Sequence, residues 1–187
     1  MRKPLPLFLG VLALAVAASA SRWEGGMLYG TRGLKNADLR GIFGSGTSYS
    51  PFVAARISEG GWVGISYEGG FDREARVGLF GDLFQLNVVG VEVFYRREWK
   101  VGAFSPYVKI GPGIASYKIH IDSPFLTAYN VKGNDISFAI AFGLKALVLQ
   151  RIFLAGELKY GVLWIDPYDD KVDLGGFRAQ IGVGFAL

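Results

Sequence analysis

The chain has no cysteine, one histidine and two methionines in 187 residues. Without cysteine there is no disulfide scaffold, no thiolate nucleophile, no cysteine-ligated zinc or iron–sulfur centre and no acylated-cysteine anchor. Charge is scarce as well, at 19% of residues against roughly 25% in soluble domains. Past the first twenty residues no segment approaches about 18 uncharged apolar residues, so no membrane helix is expected. What is abundant is glycine, with 27 residues, about twice the usual share of ~7%. Aromatics add 14%. This composition argues against a disordered tail, a coiled coil or a polar helical bundle. The length suits one domain.

The first twenty residues read as a secretory signal peptide, and residues 21–187 as the mature domain. Arg2 and Lys3 form a positive start, Leu5 to Ala18 is almost wholly apolar, and Ala18-Ser19-Ala20 has the small-x-small pattern of a cleavage site. The 20 basic and 16 acidic residues give a net charge of +4. Loss of Arg2 and Lys3 leaves 18 against 16, a net of +2. No basic stripe remains to hold a phosphate backbone, so nucleic acid is not an expected partner.

The rest alternates with a period of two. Val63, Ile65, Tyr67 and Phe71 oppose Gly64, Ser66, Glu68 and Gly70. Val89, Val91, Val93 and Tyr95 oppose Gly90, Glu92 and Arg96, and Ile136, Phe138, Ile140, Phe142, Leu144, Ala146 and Val148 oppose small residues and Lys145. The same holds for Ile152 to Trp164 and for Phe177 to Leu187. Strict alternation is a strand signal. Trp23–Thr31 and Tyr49–Ser58 alternate more loosely. From Tyr107 to Ile121 the phase flips near Ala115 and Ser116, which predicts a β-bulge there. The count is eight strands.

Connections alternate in length. Arg32–Ser48, Asp72–Phe84 and Asp122–Asp135 are long; Glu59-Gly60-Gly61 and Leu149-Gln150-Arg151 are short. Apolar parity is kept across both short turns, as odd-length hairpin loops require. The pattern is one antiparallel up-and-down meander.

Face chemistry then points to a compartment. Opposite the large apolar residues lie mainly Gly, Ala and Ser with scattered charges, a poor surface for water but a good crowded lumen for a small barrel. The expected inner charges are Glu24, Glu68, Glu92 and Glu157 with Arg56, Arg96, Lys109, Lys145, Lys159 and Arg178. Both signs together suggest a salt-bridged plug, because isolated buried charge is very costly. The greasy face would meet lipid, with Trp23, Tyr95, Trp99, Tyr107, Tyr117, Tyr160 and Trp164 as an aromatic girdle. In hydrocarbon such a sheet must close.

From Trp23 to Leu187 the chain resembles small outer membrane β-barrel proteins of the OmpA, OmpX and opacity-protein kind. The resemblance rests on the N-terminal leader, the eight amphipathic strands, the alternating loops and the final strand Phe177–Leu187. It implies an all-β, eight-stranded antiparallel transmembrane barrel in the outer membrane of a diderm bacterium. It also implies contact with outer membrane lipid and lipopolysaccharide, and assembly by periplasmic chaperones and the insertion machinery, which reads the last strand. The family usually ends in Phe, whereas here Leu187 is terminal and the phenylalanine is Phe185.

Motifs that could carry chemistry are few. Gly41–Ser48 has the glycine spacing of a phosphate loop, but Thr47 stands where its lysine must be, so it reads as a surface loop. His120 shares strand parity with Ser116 and Asp122. Outer membrane lipid A deacylases place His and Ser two residues apart on one strand, and Asp122 occupies that place here. His120 reads as a rim histidine. Asp166, Asp169, Asp170 and Asp173 gather carboxylates, but not at EF-hand spacing, and read as a solvated acidic loop. Asn130-Val131-Lys132 is not a glycosylation acceptor.

The expectation is therefore a monomeric, non-enzymatic outer membrane protein with a structural or surface-interaction role and a side-chain-filled lumen. No catalytic, cofactor or metal residue is assigned. Three alternatives stay open: a lipid-modifying enzyme, a conduit for small apolar molecules opening near Ala115, and a periplasmic lipocalin-like binder with its greasy face inward.

Overall fold

The computed structural model describes residues 22–78, 81–123, 126–165 and 171–187. The leader at 1–20 and the acidic residues Asp166, Asp169 and Asp170 lie outside the described residues. Eight long strands form the fold: β1 (Trp23–Leu34), β2 (Ser45–Ser58), β3 (Gly61–Val77), β4 (Asp82–Glu98), β5 (Phe104–Ser123), β6 (Leu126–Leu147), β7 (Ile152–Ile165) and β9 (Gly176–Ala186). A two-residue strand, β8 (Val172–Asp173), pairs with the end of β7. One short helix, α1 (Ala37–Phe43), begins at Asn36, whose side chain accepts from the amides of Asp38 and Leu39.

Each strand pairs antiparallel with its neighbour in sequence, and β9 pairs with both β7 and β1, so the sheet closes into an eight-stranded barrel. Trp23, Leu187 and the short turns lie at one end. The outward residues in the middle of the wall are large and apolar. On β6, Ile136, Phe138, Phe142 and Leu144 are all exposed, and Ile181, Val183 and Phe185 continue the band on β9. From Ile136 to Ala146 the band runs about eleven residues, the length of a tilted membrane strand. The greasy face points outward, which overturns the lipocalin-like alternative.

The phase flip on β5 has a different cause from the expected bulge. Pairing of β5 with β4 and with β6 runs without a register shift past Ala115 and Ser116. The strand stays regular; its surroundings change. Up to Ile114 the outward residues are apolar, and beyond it Ser116, Lys118, His120 and Asp122 face out. The inward residues change the opposite way, to Ala115, Tyr117 and Ile119. This is the crossing from a lipid-facing wall to a water-facing one. Unbroken pairing also leaves no lateral opening at Ala115, the feature on which the conduit alternative rested.

Bulges occur elsewhere. One at Gly69–Gly70 in β3, with Gly70 at φ 91, lets Phe71 turn inward rather than join Val63 and Ile65. Another near Ile57 combines with the tight Glu59–Gly60 turn to keep apolar parity across that hairpin. The segments expected as long loops at 72–84 and 122–135 are largely strand, so β3 to β6 stand out from the membrane as a four-stranded wall. Gly41–Ser48 is likewise the end of α1 and the start of β2, not a loop.

This geometry predicts position-dependent tolerance to charge on β6. Phe142→Arg should cost ~2–4 kcal/mol in vesicle-reconstituted protein, and Asn134→Arg on the same outward row about 1 or less. Urea titrations of the two variants measure the difference.

Candidate functional site

The lumen is the only place where the strands bring many charged side chains together among the described residues. Inward parity places them and burial forces them to pair. At the end with the short turns, Glu24, Arg96, Glu98 and Lys145 form a closed square. Lys145 Nζ lies 2.5 Å from Glu24 and 2.9 Å from Glu98, while Arg96 pairs with Glu24 and sits 2.9 Å from Glu98. Trp62 stacks beneath both cations, with Arg96 and Lys145 each 5.3 Å from its ring centre.

At the middle of the barrel, Lys109 Nζ is 2.8 Å from Glu157 Oε1, and the Tyr107 hydroxyl donates to Glu157 Oε2 at 3.0 Å. Gly143 lies directly under Tyr107, where a Cβ would collide with the ring. A third set joins Lys159 to Glu68 and Glu92, each at 2.5 Å, and Arg178 to Glu68. Lys159 is among the most deeply buried side chains, at 1% exposure. Gln180 donates to Ser48 and Ser50 beside it.

Above the charges the lumen turns apolar. Arg32 closes the network by donating to the Leu174 carbonyl at 2.7 Å, with its guanidinium 5.0 Å from the Phe71 ring centre. Over it Leu34, Phe43, Leu86, Val88, Tyr117, Leu163 and Ile165 pack into one cluster, with Leu39 and Ile42 of α1 against them. Among the described residues, two voids within the charged stretch are about 30 and 10 Å³. That holds a water or two and no ligand. At the short-turn end a vestibule of about 630 Å³ opens, lined in part by Arg22, Arg97, Trp99 and Lys100, with Lys145 at its floor.

All four expected acids are in this network, with Arg96, Lys109, Lys145, Lys159 and Arg178. Arg56 is not; it lies at the vestibule and donates to the Ser58 carbonyl. Arg32 and Glu98 join it unforeseen, because both fall at strand ends where alternation is weakest. Tyr107 and Tyr117 leave the expected girdle, since both are buried in the lumen. Tyr29 and Tyr67, which point out, join it.

The other candidate residues do not assemble a reaction centre. Ser116 donates to Asn134 at 2.5 Å, and His120 Nδ1 lies 2.8 Å from Asn130 Oδ1. Four residues apart on one straight strand, Ser116 and His120 are separated by ~13 Å, too far for proton transfer. Asp173, the described member of the acidic cluster, organises its own turn. Its Oδ1 accepts from Leu163 and Gly175, and its Oδ2 is 3.1 Å from Lys35 Nζ. That hydrogen bond raises the Lys35 ammonium pKa above its ordinary value.

If the plug is held by mutual pairing, removing one partner should cost more than removing both. Among the described residues Glu92 pairs only with Lys159. Lys159→Met should destabilise the barrel by ~3–5 kcal/mol, and Lys159→Met with Glu92→Gln should recover part of it. Urea unfolding in vesicles reads both variants.

Comparison with known proteins agrees with this geometry. Outer membrane protein OprG from Pseudomonas aeruginosa superposes with a TM-score of 0.60 at 13% identity, covering 90% of this chain and 96% of that one. Neisserial surface protein A gives 0.57 at 11% identity, covering 89% and 96%. Ail of Yersinia pestis, crystallised with the heparin analogue sucrose octasulfate, gives 0.55 at 13%, covering 88% and 99%. No curated protein matches in sequence. The family model for the outer membrane protein beta-barrel domain matches residues 6–185, nearly the whole sequence. The chain therefore belongs to that family and is an outer membrane β-barrel protein.

Proposed function

We propose that this is a non-enzymatic, monomeric barrel that conducts nothing and acts through the surface of its long-strand end. The observation that carries this reading is the double seal of the lumen. An ion-paired plug fills the membrane-depth section, and an apolar cluster with α1 stops the far end. A permanent aqueous path would need the charges to part and the apolar cluster to open together. The ~13 Å separation of Ser116 from His120 speaks against the lipid-modifying alternative.

With the short turns facing the periplasm, β3 to β6 extend outward past the lipid, as in barrels of this class. The outward row Phe177, Ile181, Val183 and Phe185 on β9, followed by Leu187, offers the insertion machinery a continuous apolar edge before closure against β1. Periplasmic chaperones would hold the same face before insertion, and Ala20 would be the last residue of the removed leader.

The test is made on protein purified from the outer membrane of an expressing cell and reconstituted in planar bilayers. N-terminal sequencing should begin at Ser21, and voltage ramps should give no steady conductance. Sustained channels from the wild type would overturn the sealed-lumen reading.

A further inference from the structure

The water-facing part of the wall is not evenly charged. Lys118 on β5 and Lys132 on β6 are directly opposed in register, and both are exposed. Like charges directly opposite each other destabilise a sheet unless something neutralises them. Neither ammonium has an ion-pair partner among the described residues. Across β4 the register neighbour of Lys118 is Asn87, which carries no charge. The acids on this face stand off: Asp72 and Glu74 are two strands away, at ~10–12 Å, and Asp122 is ~13 Å further along β5.

The residues above and below this pair are hydrogen-bond donors. Toward the lipid Asn134 receives a bond from Ser116 on its Oδ1, and away from it Asn130 Oδ1 faces His120. In both asparagines the oxygen is engaged within the patch, which leaves the Nδ2 amide as donor. Two ammoniums framed by two amides on adjacent strands make a site for a tetrahedral oxyanion.

Height on the barrel names the source of that anion. Ile114 and Ile136 are the last outward apolar pair, also directly opposed. Lys118 and Lys132 stand four residues further, ~10 Å along the normal once strand tilt is allowed for. Their flexible stems reach back to the headgroup layer. The exposed side chains of Ile114, Ile136 and Phe138 continue below the patch as a surface for acyl chains.

We propose that Lys118 and Lys132, with Asn130 and Asn134, bind the phosphate of a lipid headgroup in the outer leaflet. The site rests on the orientation proposed above, with the long-strand end outside. An anion bound there would cancel the repulsion between the lysines, and so tie the protruding wall to the membrane surface.

The experiment titrates lipid A, dephosphorylated lipid A and inorganic phosphate into detergent-solubilised protein, with bound lipid read by native mass spectrometry. Wild type should bind lipid A roughly 10- to 30-fold more tightly than Lys118→Gln/Lys132→Gln, given about 1 kcal/mol per lysine near an anionic surface. Dephosphorylated lipid A should bind both alike. Arg97→Gln/Lys100→Gln, at the opposite end, should bind lipid A as wild type does. Equal binding by wild type and the Lys118/Lys132 variant would overturn the site. Loss of lipid A binding when equimolar inorganic phosphate is present would make free phosphate the ligand and overturn the lipid source. Unboiled and boiled gel mobility, with conductance, shows separately whether each variant remains a closed, sealed barrel.

Discussion

A strand inside hydrocarbon has no water to satisfy its amides, so every one of them must be paired by another strand. Closure of β9 on β1 follows from that constraint, and the rest of the chain answers to it. Once the backbone is paired all round, side chains have two destinations. Large apolar groups face lipid, and everything polar on the strands must share a lumen that eight strands make too narrow for bulk water. The charges then stabilise one another or the barrel does not form. Glu24, Glu98, Arg96 and Lys145 are the clearest case, four groups with each cation meeting both acids.

The same strands obey the opposite rule once they leave the lipid. On β5, Ile110 and Ile114 point out while Lys109 points in; a few residues later Lys118 points out and Tyr117 and Ile119 point in. No kink or extra residue marks the change. The outer section is a small water-facing β-structure with its own apolar core, capped by α1, and it grows directly from a membrane barrel. That core also closes the lumen, so a stability device and a permeability barrier are made of the same side chains. Leu34, Phe43 and Phe71 serve both.

Much of this was legible from the alternation alone. Runs such as Ile136 to Val148 fixed eight strands, their faces and the acids inside. The failures have local physical causes, among them the use of a single polarity rule along strands that cross a boundary. Phe71 looks outward by parity, but Gly69 and Gly70 add a residue and turn it in. Tyr107 reads as a girdle residue near a strand end, although Glu157 and the space above Gly143 hold it in the lumen. Asp72–Phe84 is polar and glycine-rich, hence loop-like, yet Asp72–Val77 pairs with Asp82–Asn87 because their polar face meets water. Arg32 and Glu98 were missed because both fall at strand ends, where alternation is weakest; Arg32 bonds a backbone carbonyl on a distant segment and Glu98 pairs with Lys145 two strands away, and neither leaves a local pattern. Asp166, Asp169 and Asp170 stay outside the described residues.

The absence of native cysteine makes the central claim directly measurable, because every introduced thiol is the only one in the chain. Single cysteines along β5, at Ile110, Ile114, Ala115, Ser116, Lys118 and His120, are treated on intact cells with a bulky, membrane-impermeant maleimide. The account predicts labelling at positions 116, 118 and 120, and none at 110, 114 or 115. Labelling at 110 and 114 together with protection at 118 and 120 would contradict it, and would place the lipid on the other section of the wall.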